Sequence, residues 1–186
     1  MTLPSERIAD HLAGRPIMVV GRAGMDIYPM PDGTRVEDAQ ELVNDVGGSS
    51  GNIAVSIAKQ GHPVMLLSAV SNDGVGRFVT RSLGEYGVDT RHCFVTTGLE
   101  RTSLAMAETT TDSPDVTIYR NDAADLAITP AHAEAVDVAA LGAIIITGTA
   151  LSREPSRSAC ERLVELAGDA GCPVGLAIDY RAQAWD

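Results

Sequence analysis

Residues 47–54 read Gly47-Gly48-Ser49-Ser50-Gly51-Asn52-Ile53-Ala54, a glycine and serine loop that runs into a helical pattern. The apolar residues at 53, 54, 57 and 58 have helical spacing, which predicts a helix over 52–60, and Gly61 is a stop signal at its end. A loop of this kind brings the backbone close to a ligand and points N–H groups outward at the helix start. The same residues are equally consistent with a simple N-cap turn.

The rest of the chain alternates short aliphatic runs with longer helical patterns. The runs predict strands at 17–20, 64–70, 143–147 and 174–178. The helical patterns predict helices at about 74–86, from 130 and over 152–170. This alternation is typical of a parallel sheet flanked by helices, and 186 residues suit one such domain. The sequence therefore predicts an α/β fold.

Two segments leave this alternation. Residues 27–46 carry two prolines, an Asp-Gly turn signal and alternating polar and apolar residues, which predicts a hairpin. Three further strands are predicted at 93–96, 103–108 and 116–120, separated by turn-forming residues. We expect the segments at about 27–46 and 93–120 to form a lid on the α/β body, with the three later strands in a small antiparallel sheet.

The composition is acidic and rich in aliphatic residues. Fourteen Lys and Arg oppose 25 Asp and Glu for a formal charge of −11, and 45% of the residues are hydrophobic. Nucleic-acid binders usually concentrate Lys and Arg on one face, so this balance argues against a nucleic-acid partner. No aliphatic run is long enough to span a bilayer and no signal-peptide pattern is visible, so we expect no membrane partner. Cys93, Cys160 and Cys172 form no CxxC pair, and the cytoplasm is the expected location.

Candidate binding residues follow the predicted strands, because ligands of open α/β sheets bind outside the carboxyl ends of the strands. Asp26 offers two acceptor oxygens for neighbouring hydroxyls of a sugar, although a turn-capping role explains it equally well. The four histidines lack metal-ligand spacing, and the P-loop and dinucleotide motifs are absent from the sequence. Five arginines near strand ends or helix starts favour an anionic ligand, with surface ion pairing as the alternative: Arg22, Arg120, Arg153, Arg157 and Arg181.

Taken together, these motifs resemble the amino-terminal signature of the ribokinase-like (PfkB) carbohydrate kinases. The resemblance rests on the run that opens at Gly47, on Gly61, and on Ser71-Asn72-Asp73-Gly74-Val75-Gly76-Arg77-Phe78. Within the family, residues 21–29, 152–157 and 179–181 are most similar to the branch that phosphorylates 5-dehydro-2-deoxygluconate in inositol catabolism. The likeness covers nearly the whole chain and implies a ribokinase-like fold, in which a small β-sheet lid closes over the sugar.

The resemblance also implies roles for individual residues. Asp26, Gly48 and Asn52, with Gly47 beside them, match positions that hold sugar hydroxyls. Arg120 and Arg181 are similar to arginines that reach the carboxylate of the substrate in relatives acting on keto-sugar acids. The family further implies a small sugar or sugar acid as the ligand and a homodimer formed through the lid.

Two features depart from the family pattern. Ser71 stands where family members usually have glycine. The GxGD motif with its catalytic Asp and anion hole, the Mg-associated NxxE motif and the ATP pocket are not found in this sequence. We therefore expect that the chain represents the amino-terminal part of such a kinase, with the carboxy-terminal half absent. It then has no catalytic, cofactor-binding or metal residue of its own, binds neither ATP nor Mg well, and is inactive alone.

Other functions stay open at this point. A non-catalytic module that binds sugar acids would use the same residues without a nucleotide. Kinases for 2-keto-3-deoxygluconate, fructose or ribose share much of the pattern. An ordinary nucleotide-binding α/β domain is disfavoured, because the glycine fingerprints of such domains are missing.

Overall fold

The computed structural model describes residues 9, 11–109 and 113–180. The strands of the described residues are β1 (Ile17–Val20), β2 (Gly24–Met30), β3 (Glu41–Gly47), β4 (Val64–Ser71), β5 (Cys93–Thr96), β6 (Leu104–Ala107), β7 (Val116–Tyr119), β8 (Ala143–Thr147) and β9 (Val174–Ala177). Five of them form a parallel main sheet in the order β5-β4-β1-β8-β9. The predicted strands at 17–20, 64–70, 143–147 and 174–178 are thus confirmed, with their ends within one residue.

Helices cover both faces of the main sheet. On one face lie α1 (Ser49–Lys59) and α2 (Gly74–Glu85), and on the other lie α3 (Pro130–Glu134) and α4 (Ser156–Ala170). The central strand β1 shows why the sheet is buried: Met18 and Val20 pack in one hydrophobic cluster and Val19 in the other. A continuous aliphatic run of this kind suits a strand that is covered on both sides. None of the described helices is long and apolar enough to cross a membrane.

The second sheet, which we call the lid, has the strand order β3-β2-β6-β7. β2 pairs antiparallel with β3, and β6 pairs antiparallel with β7. The hairpin predicted over 27–46 is therefore confirmed, although its first strand already begins at Gly24. The lid is mixed rather than antiparallel, because β6 enters it parallel to β2 after the chain has passed through the main sheet.

One predicted lid strand belongs to the main sheet instead. The expectation that 93–96 joins the lid is wrong: β5 pairs parallel with β4, from Ser68 opposite Cys93 to Ser71 opposite Thr96. Cys93 packs against one hydrophobic cluster and Phe94 against the other. A strand with partners on both faces suits the main sheet, and four residues are too few for periodicity to reveal this.

The glycine and serine loop is shorter than predicted. β3 extends through Gly47 and α1 begins at Ser49, so only Gly48 separates the strand from the helix. Gly48 has a φ of +89°, and a Cβ there would lie 2.6 Å from the Arg22 carbonyl oxygen. Glycine is required at this position both by the backbone angle and by the close contact.

The edge formed by α4 and β9 carries exposed apolar side chains. α4 begins at Ser156, after a 3-10 turn over 148–151, and not at 152 as predicted. Leu163 is buried, but Val164 is 46% exposed because α4 turns that side chain outward. On the edge strand β9, Leu176 is 58% exposed. Within the described part of the chain, this end of the main sheet is therefore uncovered.

Candidate functional site

A cleft of about 940 Å³ opens where the lid meets the carboxyl end of the main sheet. β1 lies between β4 and β8, so the strand order of the sheet reverses direction at β1. A crevice is expected at the carboxyl ends of the strands at such a switch point. Residues that follow β1, β8 and β9 line the floor of the cleft, and β6 and β7 line its roof. The charged residues of the lining are Arg22, Asp26, Arg120, Asp122, Arg153 and Asp179.

Asp26 lies on β2 with one carboxylate oxygen unpartnered. Its Oδ1 is buried and accepts no hydrogen bond from the described residues. A Cβ at Gly47 would lie 2.0 Å from the Asp26 Cγ, so glycine at 47 leaves the room that the carboxylate needs. Burial raises the pKa of Asp26 above its ordinary value of 3.8, while Arg22 opposes that shift. A ligand hydroxyl would satisfy this orphaned acceptor.

The start of α1 offers side chains to the cleft rather than free backbone amides. The N–H groups of Ser50 and Gly51 donate to the Arg22 carbonyl oxygen, at 3.1 and 3.2 Å. The expectation that this loop points its N–H groups outward is therefore wrong for these two residues, because the single-residue connection turns them back onto the end of β1. Asn52 is exposed on the first turn of α1 and lines the cleft, where its amide can both donate and accept.

A chain of hydroxyl groups ties α1 to the carboxyl end of β8. Thr149 Oγ1 lies 3.2 Å from Ser49 Oγ and 3.2 Å from Thr147 Oγ1. Thr147 Oγ1 in turn lies 2.9 Å from Ser50 Oγ, which donates to the Val20 carbonyl oxygen. Because such networks hold their members in fixed positions, this one sets the floor of the cleft.

Arg120 follows β7 and is held inside the wall of the cleft. Its Nη2 donates to Asp125 Oδ2 and, at 3.1 Å, to the Thr149 carbonyl oxygen. The Arg120 and Asp125 side chains are only 12% and 1% exposed, and the Arg120 Nε is buried without a partner among the described residues. Nη1 lies 3.5 Å from Ser152 Oγ. Arg120 thus lines the cleft, and its Nη2 is committed to protein groups.

Arg22 follows β1 and carries a guanidinium with fewer partners. Its Nη1 lies 3.4 Å from Ser103 Oγ, which is long for a hydrogen bond. Among the described residues, Arg22 takes part in no ion pair within 4.0 Å. Burial lowers the pKa of Arg22, and the carboxylates of Asp125 and Asp26 oppose that shift.

The structure brings most of the predicted substrate-binding residues together. Asp26, Gly48, Asn52 and Arg120 line the cleft, and Gly47 lies behind Asp26. Arg181 lies outside the described residues. Of the remaining candidate arginines, Arg22 and Arg153 line the cleft, whereas Arg157 donates to the carbonyl oxygens of Leu151 and Ser152.

Asp125, Thr149 and Ser152 are site residues that sequence reasoning missed. Asp125 stands alone within the otherwise apolar run 123–128, and a carboxylate in such a run needs a buried partner. That signal could have paired it with Arg120. Thr149 and Ser152 give no comparable signal, because small hydroxyl residues are common in any loop.

The cleft combines acceptors for hydroxyl groups with cationic donors for an anion. The described residues contain no group of three His, Cys, Asp or Glu side chains that could hold a metal ion. The N–H groups of Ser50 and Gly51, which could otherwise meet a phosphate, are used by the Arg22 carbonyl.

Comparison with known proteins places this chain in a family. Residues 15–186 match the pfkB family carbohydrate kinases. The chain belongs to this family. Relatives include the 5-dehydro-2-deoxygluconokinases of Photobacterium profundum, 36% identical over 168 residues, and of Bacillus subtilis, 30% identical over 170 residues. These alignments cover 90% and 91% of this chain but 51% and 52% of the relatives, so the chain spans about half their length.

Solved structures share the fold of this pfkB chain. The 2-dehydro-3-deoxygluconokinase of Thermotoga maritima gives a TM-score of 0.83 at 20% identity, over 92% of this chain and 53% of that one. A fructokinase of Xylella fastidiosa, solved with bound ATP, gives a TM-score of 0.81 at 22% identity, over 93% of this chain and 51% of that one. The ribokinase-like fold predicted from the sequence is confirmed.

This pfkB chain accommodates its serine at position 71 through local hydrogen bonds. Ser71 Oγ lies 2.8 Å from Thr102 Oγ1 and accepts from the Thr102 N–H at 3.0 Å. The Ser71 N–H donates to Thr102 Oγ1 at 2.8 Å. The Ser71 hydroxyl, which a glycine would lack, therefore has hydrogen-bond partners. It links the end of β4 to the segment that leads into β6 of the lid.

Proposed function

We propose that this chain supplies the sugar-binding part of an ATP-dependent kinase that phosphorylates a primary hydroxyl of 5-dehydro-2-deoxygluconate. The observation that carries the proposal is the cleft, in which the unpartnered Asp26 Oδ1, Asn52 and two half-buried arginines face one space. This set suits a ligand with several hydroxyls and one carboxylate. The relatives named 5-dehydro-2-deoxygluconokinase, 36% and 30% identical to this chain, support this choice of substrate.

The residues of the cleft act by holding the sugar acid in one orientation. Asp26 accepts a hydrogen bond from one hydroxyl, and Asn52 donates to or accepts from a neighbouring one. A guanidinium of the cleft binds the carboxylate. Holding the hydroxyls and the carboxylate together places the primary hydroxyl of the substrate for reaction, and positioning is a large part of catalysis in phosphoryl transfer.

The reacting groups lie beyond this cleft. ATP would supply the transferred phosphoryl group in the complete enzyme. As the family resemblance implies, the base that deprotonates the hydroxyl is the Asp of a GxGD motif, which the 186-residue sequence does not contain. We therefore expect no turnover from this chain alone.

The test is an assay of ATP consumption on 5-dehydro-2-deoxygluconate with a chain whose intact mass is 19.5 kDa. The Photobacterium profundum relative serves as the positive control, and calorimetry measures binding of the sugar acid in parallel. We expect binding without turnover. Turnover by the 19.5 kDa chain would overturn the assignment of the base to a missing motif, and absence of sugar-acid binding would overturn the proposed role of the cleft.

We also propose that two copies associate through the lid. Leu42 on β3 and Tyr119 on β7 are 52% and 56% exposed. These residues lie on the two edge strands of the lid. Exposed apolar side chains on an edge strand favour pairing with another chain.

A further inference from the structure

Arg22 and Arg120 both line the cleft, but the protein uses their guanidinium groups differently. A guanidinium has five N–H donors. In Arg120, Nη2 donates to Asp125 and to the Thr149 carbonyl, and Nε is buried without a partner among the described residues. Nη1, which lies 3.5 Å from Ser152 Oγ, and the buried Nε are the Arg120 donors that remain for a ligand.

Arg22 has most of its donors uncommitted. Among the described residues, its guanidinium makes one polar contact, the 3.4 Å approach of Nη1 to Ser103 Oγ. Asp26 and Asp125 act on Arg22 through their charge, yet neither forms an ion pair with it within 4.0 Å. A half-buried cation without an ion-pair partner has lost part of its hydration and gains from a bound anion.

The backbone of Arg22 is also fixed. Its carbonyl oxygen accepts from the N–H groups of Ser50 and Gly51, and Gly48 packs directly against the same peptide. Arg22 lies immediately beyond β1, the central strand of the main sheet. The guanidinium therefore extends into the cleft from a rigid base, as a selective binding group requires.

We infer that Arg22 is the specificity-determining residue of the cleft: its guanidinium binds the carboxylate of the sugar acid, while Arg120 and Asp125 form a fixed part of the wall. This inference rests on the proposed function and assigns to Arg22 the role that the family resemblance gave to Arg120 and Arg181. It also explains how the cleft would select a sugar acid over a neutral sugar of the same shape.

The test compares two ligands on four variants by calorimetry. The ligands are 5-dehydro-2-deoxygluconate and a neutral analogue in which CH2OH replaces the carboxylate. Arg22→Gln should lose about 10- to 100-fold in affinity for the acid and stay within about twofold for the neutral analogue. Arg22→Lys should lose less, since an ammonium keeps the charge but not the paired hydrogen bonds. Arg120→Gln should affect both ligands alike.

Arg81→Gln is the matched control, because Arg81 is exposed on α2 and pairs with Glu85 across one helical turn. It removes the same charge and should leave both affinities unchanged. Circular dichroism checks the fold of each variant. If Arg22→Gln does not fold, the result for Arg22→Lys decides. A loss of affinity for the acid only supports the inference, and an unchanged affinity for the acid overturns it.

Two further outcomes overturn the inference in different ways. If the wild-type chain binds the acid and Arg22→Gln binds it with wild-type affinity, Arg22 is not the carboxylate site, and the proposed function stands. The inference is also overturned, and the proposed function also stands, if Arg120→Gln loses affinity for the acid only and Arg22→Gln does not. If the wild-type chain binds neither ligand, the proposed function fails and the inference fails with it.

Discussion

Asp26 illustrates how this chain keeps an unfavourable group at the place where a ligand would bind. Its Oδ1 is buried without a hydrogen-bond partner among the described residues, and Asp45 lies directly opposite on β3. Burial and the Asp45 charge both raise the pKa of Asp26, and Arg22 only partly offsets them. A charged carboxylate in this position reduces the free energy of unfolding unless a ligand satisfies it.

Asp26→Asn is therefore expected to raise the melting temperature at pH 7 while weakening sugar-acid binding by about tenfold. A carboxyl group with a raised folded pKa destabilises the protein when it is ionised, so the cost is present at neutral pH. The gain in melting temperature should shrink as the pH falls toward 3.8, where Asp26 takes up a proton in the folded and unfolded states alike. Thermal melts followed by circular dichroism, with calorimetry for binding, measure both effects.

Asp32→Asn is the matched control for that substitution. Asp32 is exposed beyond the end of β2, where it accepts a hydrogen bond from Thr109 Oγ1 that an asparagine can also accept. It should change neither the melting temperature nor the affinity. A lower melting temperature for Asp26→Asn at pH 7, together with unchanged binding, would contradict this account of Asp26.

The sequence was informative about which residues meet in the cleft but not about how each is used. Asp26, Gly48 and Asn52 belong to motifs whose spacing is visible in the chain. The ranking of Arg22 above Arg120 depends on Asp125 and Thr149, which reach Arg120 only once β7 and β8 are in place. Hydrogen-bond commitments of this kind are set by tertiary contacts and leave no local pattern.

Gly47 connects the lid hairpin to the position of Asp26. Gly47→Ala would bring a Cβ within 2.0 Å of the Asp26 Cγ, so the carboxylate must rotate away from the cleft. We expect about a tenfold loss of sugar-acid affinity, measured by calorimetry. Gly84→Ala in α2 is the control, since no atom lies within 4 Å of its Cβ position. It should stabilise the chain by about 0.5–1 kcal/mol and leave binding unchanged. Wild-type affinity in Gly47→Ala would refute this role.

The short helix α3 makes stability depend on pH. The Thr129 N–H donates to His132 Nδ1 at 3.0 Å, which requires that nitrogen to be unprotonated, and Phe94 stacks on the same ring. Burial lowers the pKa of His132 below 6.5. This stabilisation is therefore complete above pH 6.5 and is lost as the pH falls through the lowered pKa.

His132→Gln should flatten the dependence of the unfolding free energy on pH below 6.5, because glutamine also accepts from the N-cap N–H in a capping box. Urea unfolding at a series of pH values measures the effect. Some slope should remain, since burial lowers the pKa of His92 as well. A loss of stability on acidification as steep as in the wild type would show that His132 is not responsible.

The ends of the strands were predicted more accurately than the strands with which they pair. The strand at 93–96 has the predicted ends, yet it lies in the main sheet because its pairing with β4 is decided by burial of Cys93 and Phe94 on opposite faces. The hairpin over 27–46 was recognisable because its turn and its pairing are both local. Non-local pairing is the information that four residues cannot carry.

The main sheet ends in an edge that carries exposed apolar side chains. Val174, Leu176 and Ile178 are 41%, 58% and 71% exposed. A parallel sheet normally has both faces covered and its edges protected, so these side chains favour contact with another surface. The alternation of strands and helices predicted this architecture, because it repeats along the whole chain.

We expect the wild-type chain to self-associate at micromolar concentration, as measured by sedimentation velocity. Leu176→Lys should reduce the assembly to the dimer proposed for the lid, and adding Leu42→Lys should leave a monomer. Leu99→Lys is the control, because Leu99 is 83% exposed in a loop outside the strands β3 and β9 that carry Leu42 and Leu176. A sharp monomer peak for the wild-type chain would contradict this expectation.

The most direct test of the account is a calorimetric titration of the wild-type chain with 5-dehydro-2-deoxygluconate and, separately, with ATP and Mg. We expect saturable binding of one sugar acid per chain and no binding of the nucleotide, because the proposed function assigns only the sugar side of the site to this chain. Binding of ATP without binding of the sugar acid would contradict it.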